Sequence, residues 1–187
     1  MISQVFHPDC FKVITLFSLS PGSRFKRKEI KDKMNIHNLP LDKALMRLLS
    51  AGILKKEGTL YSINFENPAS KKVLEIVTSQ FIQLKELPLD VYCLLMDLTD
   101  RLSVLKGSEV FLFGSYAKLT YTSRSDLDIA LLHTKEVEAS KIKKSVMKLE
   151  RAYKKHVEIH YFDKKDFYRN KKDPLVRSIL KDGVRLT

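Results

Sequence analysis

Several residue types are scarce in this chain, and each scarcity argues against a class of protein. The 187 residues include no tryptophan and only two cysteines, Cys10 and Cys93, with no C-x-x-C pair. This predicts two reduced thiols in the core rather than a disulfide framework or a zinc site. No apolar run approaches the roughly 20 residues that a membrane helix needs. The N-terminus shows no basic leader with a cleavage site, so we expect a cytoplasmic protein.

Acidic residues are also in the minority. The chain has 34 Lys and Arg against 22 Asp and Glu, a net charge of +12. Such a field attracts polyanions and nucleotide phosphates, although Lys-rich surfaces also serve solubility alone. With 44% hydrophobic residues, the chain can bury the core of one domain or of two small ones.

The N-terminal third has the pattern of three helices followed by a hairpin. Helical spacing predicts helices over 9–19, 26–34 and 41–52. The β-prone runs "ILKKEG" and "TLYSINF" then meet at Glu57-Gly58, a hairpin signal. Through "LDKALMRLLSAGILKKEGTLYSIN", this part resembles the winged helix-turn-helix family.

In that family the third helix can enter a DNA major groove while the hairpin, or wing, touches the backbone. The nucleic-acid contacts that this resemblance implies are Lys43, Arg47, Lys55 and Lys56. Winged helices also act as protein-docking or dimerisation modules, because a fold does not determine a function. DNA binding, protein binding and homo-oligomer formation therefore stay open.

Three parts are predicted along the chain. Residues 1–66 form the winged helix-turn-helix domain, and residues 67–106 form a connector of two amphipathic helices with balanced charge. From Glu109 onward, strands alternate with helices, which predicts a mixed α/β sheet layered with helices over 107–187.

Two aspartates open an apolar run in this last part. Asp126 and Asp128 flank Leu127 at the start of "LDIALL". Side chains at alternate strand positions share a face, so the two stand about 7 Å apart along the backbone. Two ionised acids this close repel each other unless a cation or hydrogen-bond donors compensate. Mg²⁺ prefers such oxygen ligands, so the pair predicts a magnesium site.

Two further features belong to the same predicted site. Gly114-Ser115 joins a strand to a helix, where glycine permits a tight turn and free N–H groups can bind phosphate. Glu158 alternates with apolar neighbours in "VEIHYF", and it completes a set of three acids if its strand adjoins the aspartate strand. His160 shares that face, either as a site residue or as a structural histidine.

The segment "GSYAKLTYTSRSDLDIAL" resembles the signature of the nucleotidyltransferase superfamily related to DNA polymerase β. The pattern of its minimal nucleotidyltransferase branch is Gly-Ser, ten residues, then Asp-x-Asp, and Gly114 to Asp128 meet it without insertion. Ser125 matches the serine that often precedes the first aspartate. The family favours a basic residue and then glycine after the Gly-Ser stretch; Lys118 fits, and Leu119 replaces the glycine. The resemblance covers 107–187, including the ending "DPLVRSILKDGVRL".

The resemblance implies transfer of a nucleoside monophosphate, AMP from ATP by our expectation, to an acceptor hydroxyl with release of pyrophosphate. Asp126, Asp128 and Glu158 would be the catalytic and metal-binding acids for two Mg²⁺ ions, with Glu158 also assisting proton removal. The resemblance also implies five nucleotide-binding residues: Gly114, Ser115, Lys118, Arg124 and Ser125. Of these, Lys118 and Arg124 would neutralise developing charge.

Three hypotheses remain for the function, and two of them differ in the acceptor. Only 29 residues follow Glu158, so we expect the acceptor to bind the upstream half or an open face of the catalytic unit. Minimal family members are often antitoxins that adenylylate a tyrosine on a helical HEPN-type toxin, which makes a protein partner the first hypothesis. A nucleic-acid end recruited by the winged helix is the second. A non-catalytic DNA-binding regulator that senses nucleotide is the third, and retention of the three acids disfavours it.

Overall fold

The chain divides into two compact units in a computed structural model that describes residues 7–80, 84, 86–105, 107–134 and 139–187. The units are Met1–Lys85 and Glu86–Thr187. Each contains its own sheet and its own buried side chains, so each is described by itself.

The first unit combines helices with a small antiparallel sheet. Its elements are α1 (Pro8–Leu19), β1 (Phe25–Lys26), α2 (Arg27–Met34), α3 (Asn38–Ser50), β2 (Leu54–Glu57), β3 (Leu60–Ile63) and α4 (Pro68–Gln80). Strand β3 lies between β1 and β2 and is antiparallel to both. The turn between β2 and β3 contains Gly58 at φ +60°, a left-handed conformation that glycine adopts without strain. The predicted hairpin is confirmed.

Helix α1 is central to the core of this unit. Most of its side chains between Cys10 and Phe17 are buried, because α3 and α4 both pack against it. Phe17 also contacts Phe25 of β1 edge to face, with ring centroids 5.4 Å apart. Ile30 of α2 and Leu48 of α3 are fully buried. The apolar spacing that predicted three helices thus corresponds to the buried faces.

Helix α3 is longer than the sequence pattern predicts. It begins at Asn38 rather than at Leu41. Pro40 falls within the first turn, where the backbone N–H has no intrahelical partner and its loss costs no hydrogen bond. Strand β1 was not predicted, since two residues are too few to show an alternating pattern.

The second unit is built on a four-stranded mixed sheet. Its elements are α5 (Leu89–Leu102), β4 (Glu109–Phe113), α6 (Gly114–Ala117), β5 (Leu127–His133), α7 (Ala139–Tyr153), β6 (Val157–Asp163), α8 (Lys164–Arg169), α9 (Pro174–Asp182) and β7 (Val184–Arg185). The strand order is β6-β5-β4-β7. Strand β4 is antiparallel to β5 and β7, whereas β5 and β6 are parallel and joined across α7. The predicted mixed α/β architecture is confirmed.

Helices cover both faces of this sheet. On one face, Phe111 and Ala130 pack with Phe167 of α8 and Ile179 of α9 in one buried cluster. On the other face, β6 and α7 line a common groove. Helix α5 packs against α7, and the Tyr153 hydroxyl donates a 2.6 Å hydrogen bond to Asp97 of α5. The candidate catalytic strands therefore rest on a packed layer of helices.

The two helices of the predicted connector lie in different units. Helix α4 belongs to Met1–Lys85 and packs on α1, whereas α5 belongs to Glu86–Thr187 and packs on α7. Amphipathic spacing predicts that a helix has a buried face, but it does not specify which core that face joins. The three-part division of the chain stays a prediction.

The structure bears on two expectations from the sequence, one about the cysteines and one about membrane-spanning helices. Cys10 and Cys93 are both buried, and neither forms a disulfide in the part of the chain that the structure describes. None of the described helices combines the length and apolar character that a membrane crossing requires.

Candidate active site

The site begins where β4 ends. Gly114 follows β4 at φ +70°, and Phe113 pairs with Asp128 across the antiparallel ladder. A Cβ atom on Gly114 would overlap the Asp128 carboxylate, lying 2.9 Å from its Cγ. Glycine is required here for both conformation and space, so the Gly-Ser turn and the second aspartate are in direct contact.

Asp128, Glu158 and His160 form one cluster. Asp128 pairs in register with Glu158 because β5 and β6 run parallel. One ligand atom from each of the three residues lies within 4.8 Å of the others, and His160 Nε2 is 3.4 Å from Glu158 Oε1. Phe113 packs edge to face on the His160 ring, with centroids 5.2 Å apart. Two predicted acids and a histidine could therefore hold a metal ion.

Asp126 lies beside this cluster and contacts a different histidine. Its Oδ1 is 3.5 Å from Nδ1 of His156, whose Nε2 is 3.5 Å from Oε1 of Glu150. His156 is fixed by its backbone, since its carbonyl accepts a 3.0 Å hydrogen bond from Leu127 N. The sequence showed no ligand spacing for His156. Its position two residues before Glu158 was the available signal.

The surroundings of Asp128 shift its pKa upward. Burial raises the pKa of Asp128, the negative charges of Glu158 and Asp126 raise it further, and His160 opposes the increase. Burial and the neighbouring acids make the ionised form of Asp128 unfavourable by itself, so a cation beside it would stabilise that form. Carboxylate oxygens suit Mg²⁺, and an imidazole nitrogen is also a ligand for transition metals. The residues present therefore fit a divalent cation.

The loop between α6 and β5 contains three predicted nucleotide-binding residues. Lys118 Nζ lies 3.2 Å from Oδ2 of Asp182 in α9. The Ser125 hydroxyl accepts a 2.9 Å hydrogen bond from Thr122 N, and Arg124 N donates to the Thr122 hydroxyl at 3.3 Å. Ser125 thus shapes the turn before the aspartates, while the Arg124 side chain is exposed.

Ser115, the remaining predicted phosphate ligand, occupies α6. It is half-buried, and its carbonyl accepts a 2.9 Å hydrogen bond from Thr120 N. Within the described residues its hydroxyl has no hydrogen-bond partner. Helix α6 has only four residues, too few for a strong helix dipole at its N-terminus.

One further basic residue lies beside α6. Lys155 Nζ lies 4.9 Å from the centroid of the Tyr116 ring, and Tyr116 stacks on Tyr121 with centroids 4.4 Å apart. Lys154, the preceding residue, adopts φ +51°, which turns the chain between α7 and β6. Sequence reasoning missed Lys155, because its contact with α6 depends on the tertiary fold.

The four basic residues predicted as nucleic-acid contacts have different surroundings. Lys43 of α3 is exposed, whereas Arg47 is half-buried beside the Cys10 thiol. On the β2–β3 hairpin, Lys55 Nζ lies 3.1 Å from Glu57 Oε1. Lys56 lies over the ring of Tyr61, 5.4 Å from its centroid. Three of the four cations thus have intramolecular neighbours.

Comparison with known proteins found a family model that matches most of the second unit. Residues 95–186 match the family model described as "Nucleotidyltransferase domain". No curated protein and no solved structure matches the chain. The match contains the Gly-Ser turn, both aspartates, Glu158 and His160. Residues 95–186 are therefore similar to nucleotidyltransferase domains, and this similarity supports nucleotidyl transfer as the general activity.

Proposed function

We propose that the second unit transfers AMP from ATP to a hydroxyl of a protein partner in a Mg²⁺-dependent reaction. The observation that carries this proposal is the placement of Asp128 and Glu158 side by side, with Asp128 against Gly114. In this arrangement a nucleotide held at the Gly-Ser turn has two carboxylates beside its phosphates. The choice of ATP and of a protein acceptor comes from the resemblance to minimal nucleotidyltransferases.

The metal ligands in this proposal are Asp126, Asp128 and Glu158, with His160 adjoining them. They would hold two Mg²⁺ ions. A bound divalent cation neutralises phosphate oxygens and lowers the pKa of an attacking hydroxyl. The raised pKa of Asp128, which follows first from burial and then from its acidic neighbours, supports a site that a cation completes.

The remaining residues bind and orient the nucleotide. Gly114 permits the close approach of the backbone to phosphate, and Ser115 contributes a hydroxyl donor. Lys118 and Arg124 supply positive charge near the developing pyrophosphate, although Asp182 shares the Lys118 charge. Glu158 accepts the proton of the attacking hydroxyl.

Exposure of the acids supports a large acceptor. The side chains of Asp126 and Glu158 are 51% and 54% exposed, so a hydroxyl on a macromolecule can reach them without entering a closed cavity. The partner that we propose is a helical toxin of the HEPN nuclease type, modified on a tyrosine, with this chain as its antitoxin.

A nucleic-acid acceptor is the second candidate. We propose that residues 1–66 form a winged helix-turn-helix, which the order β1-β3-β2 and the three helices before the β2–β3 hairpin support. The net charge of +12 also favours a polyanion. Against duplex binding, Arg47, Lys55 and Lys56 have intramolecular neighbours, so Lys43 would carry most of the phosphate contact.

Incubation with α-phosphate-labelled ATP, Mg²⁺ and candidate acceptors tests these proposals. Label on protein supports the first candidate, and label on nucleic acid supports the second. Asp128→Ala is the matched inactive variant, because it removes the ligand while leaving the strand in place. No label on any acceptor, together with nucleotide binding, would indicate the non-catalytic regulator instead.

A further inference from the structure

Strand β6 lies at one edge of its sheet. The strand order is β6-β5-β4-β7, and no other described strand pairs with the outer side of β6. Its residues Val157 to Asp163 pair with β5 in an unbroken register, so the strand contains no bulge. A regular edge strand presents backbone N–H and C=O groups that an extended peptide can pair with.

A groove of about 400 Å³ runs between β6 and α7. Its apolar lining comes from Val146 and Met147 of α7 and from Val157, Ile159 and Tyr161 of β6. Met147 is 40% exposed and Tyr161 is 39% exposed. Covering these side chains with apolar groups of a partner is favourable.

The two faces of β6 have different characters. Val157, Ile159 and Tyr161 face the groove, whereas Glu158 and His160 face the cluster that contains Asp128. A strand added beside β6 would alternate in the same way. Its residue opposite Glu158 would have a Cβ atom about 5 Å from that of Glu158. A hydroxyl there would meet the candidate base while both its neighbours point into the groove.

Helix α7, which borders the groove, and the two residues after it are strongly basic. Against the single acid Glu150, residues 139–155 contain Lys141, Lys143, Lys144, Lys148, Arg151, Lys154 and Lys155. Lys143 lines the groove itself, and Arg151 and Lys154 lie beyond its end near His156. Glu150 is engaged internally, since its Oε1 accepts a 2.9 Å hydrogen bond from Val157 N. Acidic residues in a ligand would complement this surface.

We propose that the edge of β6 and the adjoining groove bind an extended segment of the acceptor protein as an added strand. In this segment a Ser, Thr or Tyr stands between two apolar residues, and acidic residues lie at the ends. A single-stranded nucleic acid suits the groove less, because among the described residues that line it only Tyr161 and His156 offer a ring for stacking. The role of the hydroxyl rests on the proposed function, whereas binding of the segment does not.

An array of immobilised ten-residue peptides tests this inference with the full-length chain and no nucleotide. Half of the peptides alternate hydroxyl and apolar residues between acidic ends, and half contain the same residues in non-alternating order. We expect capture of the alternating set alone. Backbone N-methylation at alternate positions of a captured peptide should abolish its binding, because it removes the ladder donors.

Variants of two exposed methionines localise the binding. Met147→Glu places a negative charge in the groove and should weaken capture by about tenfold or more. Met46→Glu is the matched control, since Met46 is 63% exposed on α3 of the other unit, and it should leave capture unchanged. Four outcomes would overturn the inference: equal capture of both peptide sets, no capture, capture that Met147→Glu does not change, or displacement of the peptide by an oligonucleotide.

Adding labelled ATP and Mg²⁺ to the same array separates the two proposals. Label on the hydroxyl of alternating peptides supports both. Capture of these peptides without label on any acceptor would reject the transfer reaction and retain the docking surface. If a protein acceptor is labelled and Met147→Glu does not diminish that label, the transfer reaction is retained and the docking surface is rejected.

Discussion

Gly114 and Asp128 occupy adjoining space at the end of β4. Asp128 lies opposite Phe113 in the ladder, and its carboxylate fills the position that a Cβ atom on Gly114 would need. The glycine and the second aspartate of the motif therefore depend on each other sterically as well as chemically.

Gly114→Ala should impair both stability and transfer. The left-handed φ of +70° and the overlap with Asp128 together should lower the free energy of unfolding by about 1–3 kcal/mol. Chemical denaturation measures this change, and the labelled-ATP assay measures transfer. Gly58→Ala is the control, because Gly58 has a similar φ with nothing within 4 Å of an added Cβ. Equal destabilisation of the two variants, with transfer retained, would contradict the steric argument.

Asp128→Asn should stabilise the protein in the absence of metal. It removes the repulsion between directly opposed acids, so the free energy of unfolding should rise by about 0.5–1 kcal/mol. Added Mg²⁺ should then stabilise the wild type and not the variant, and transfer should be lost. Thermal unfolding with and without Mg²⁺ provides the measurement. Asp100→Asn, at an exposed position of α5, should respond to metal as the wild type does. A variant at Asp128 that keeps the metal response would reject Asp128 as a ligand.

His160→Gln should weaken metal binding by about tenfold, because His160 Nε2 adjoins Glu158 and lies within the ligand cluster. Electron paramagnetic resonance of Mn²⁺ gives the Kd without requiring turnover. His37→Gln, at an exposed position of the first unit, should leave the Kd unchanged. An unchanged Kd in His160→Gln would make His160 a structural histidine packed on Phe113.

Glu109→Gln should reduce stability at neutral pH and not in acid. Burial would raise the pKa of Glu109, but hydrogen bonds from Lys164 and Tyr168 and the charge of Arg185 outweigh it, and the pKa is lowered. A lowered folded-state pKa gives stability that is present above the unfolded value of about 4.3 and lost as the pH falls below it.

At pH 7 the loss for Glu109→Gln should be about 1–3 kcal/mol, and it should shrink as the pH falls through the lowered folded-state pKa. Urea denaturation at several pH values tests this dependence. Glu66→Gln, at an exposed position, should show little change at any pH. A loss for Glu109→Gln that is independent of pH would point to packing rather than charge.

Leu119→Asn should raise stability. Leu119 stands where the resembled family favours glycine, and it adopts φ +55° with 49% exposure. A left-handed leucine costs about 1–2 kcal/mol, and asparagine tolerates this conformation better. The free energy of unfolding should therefore rise by about 1 kcal/mol. Leu119→Ala keeps the strain and should show no gain; an equal gain in both variants would contradict this explanation.

Much of the fold could be predicted because local patterns determine it. Apolar runs predicted β4 and β5, alternation predicted β6, and helical patterns predicted α1 and α7. Short elements without a periodic pattern, such as β1, α8 and β7, escaped prediction. The assignment of α4 and α5 to separate cores also could not be read from spacing, since both show the same kind of amphipathic face.

The candidate site also has features that the sequence predicts and features that depend on the tertiary structure. The sequence by itself determined the spacing of Gly114, Asp126 and Asp128, because a turn, a strand and its alternation are local properties of the backbone. Only the tertiary structure decided that β6 runs parallel beside β5, and this register brings Glu158 and His160 to Asp128. It also decided that Asp126 meets His156, since contacts between distant segments depend on strand order and helix packing rather than on periodicity.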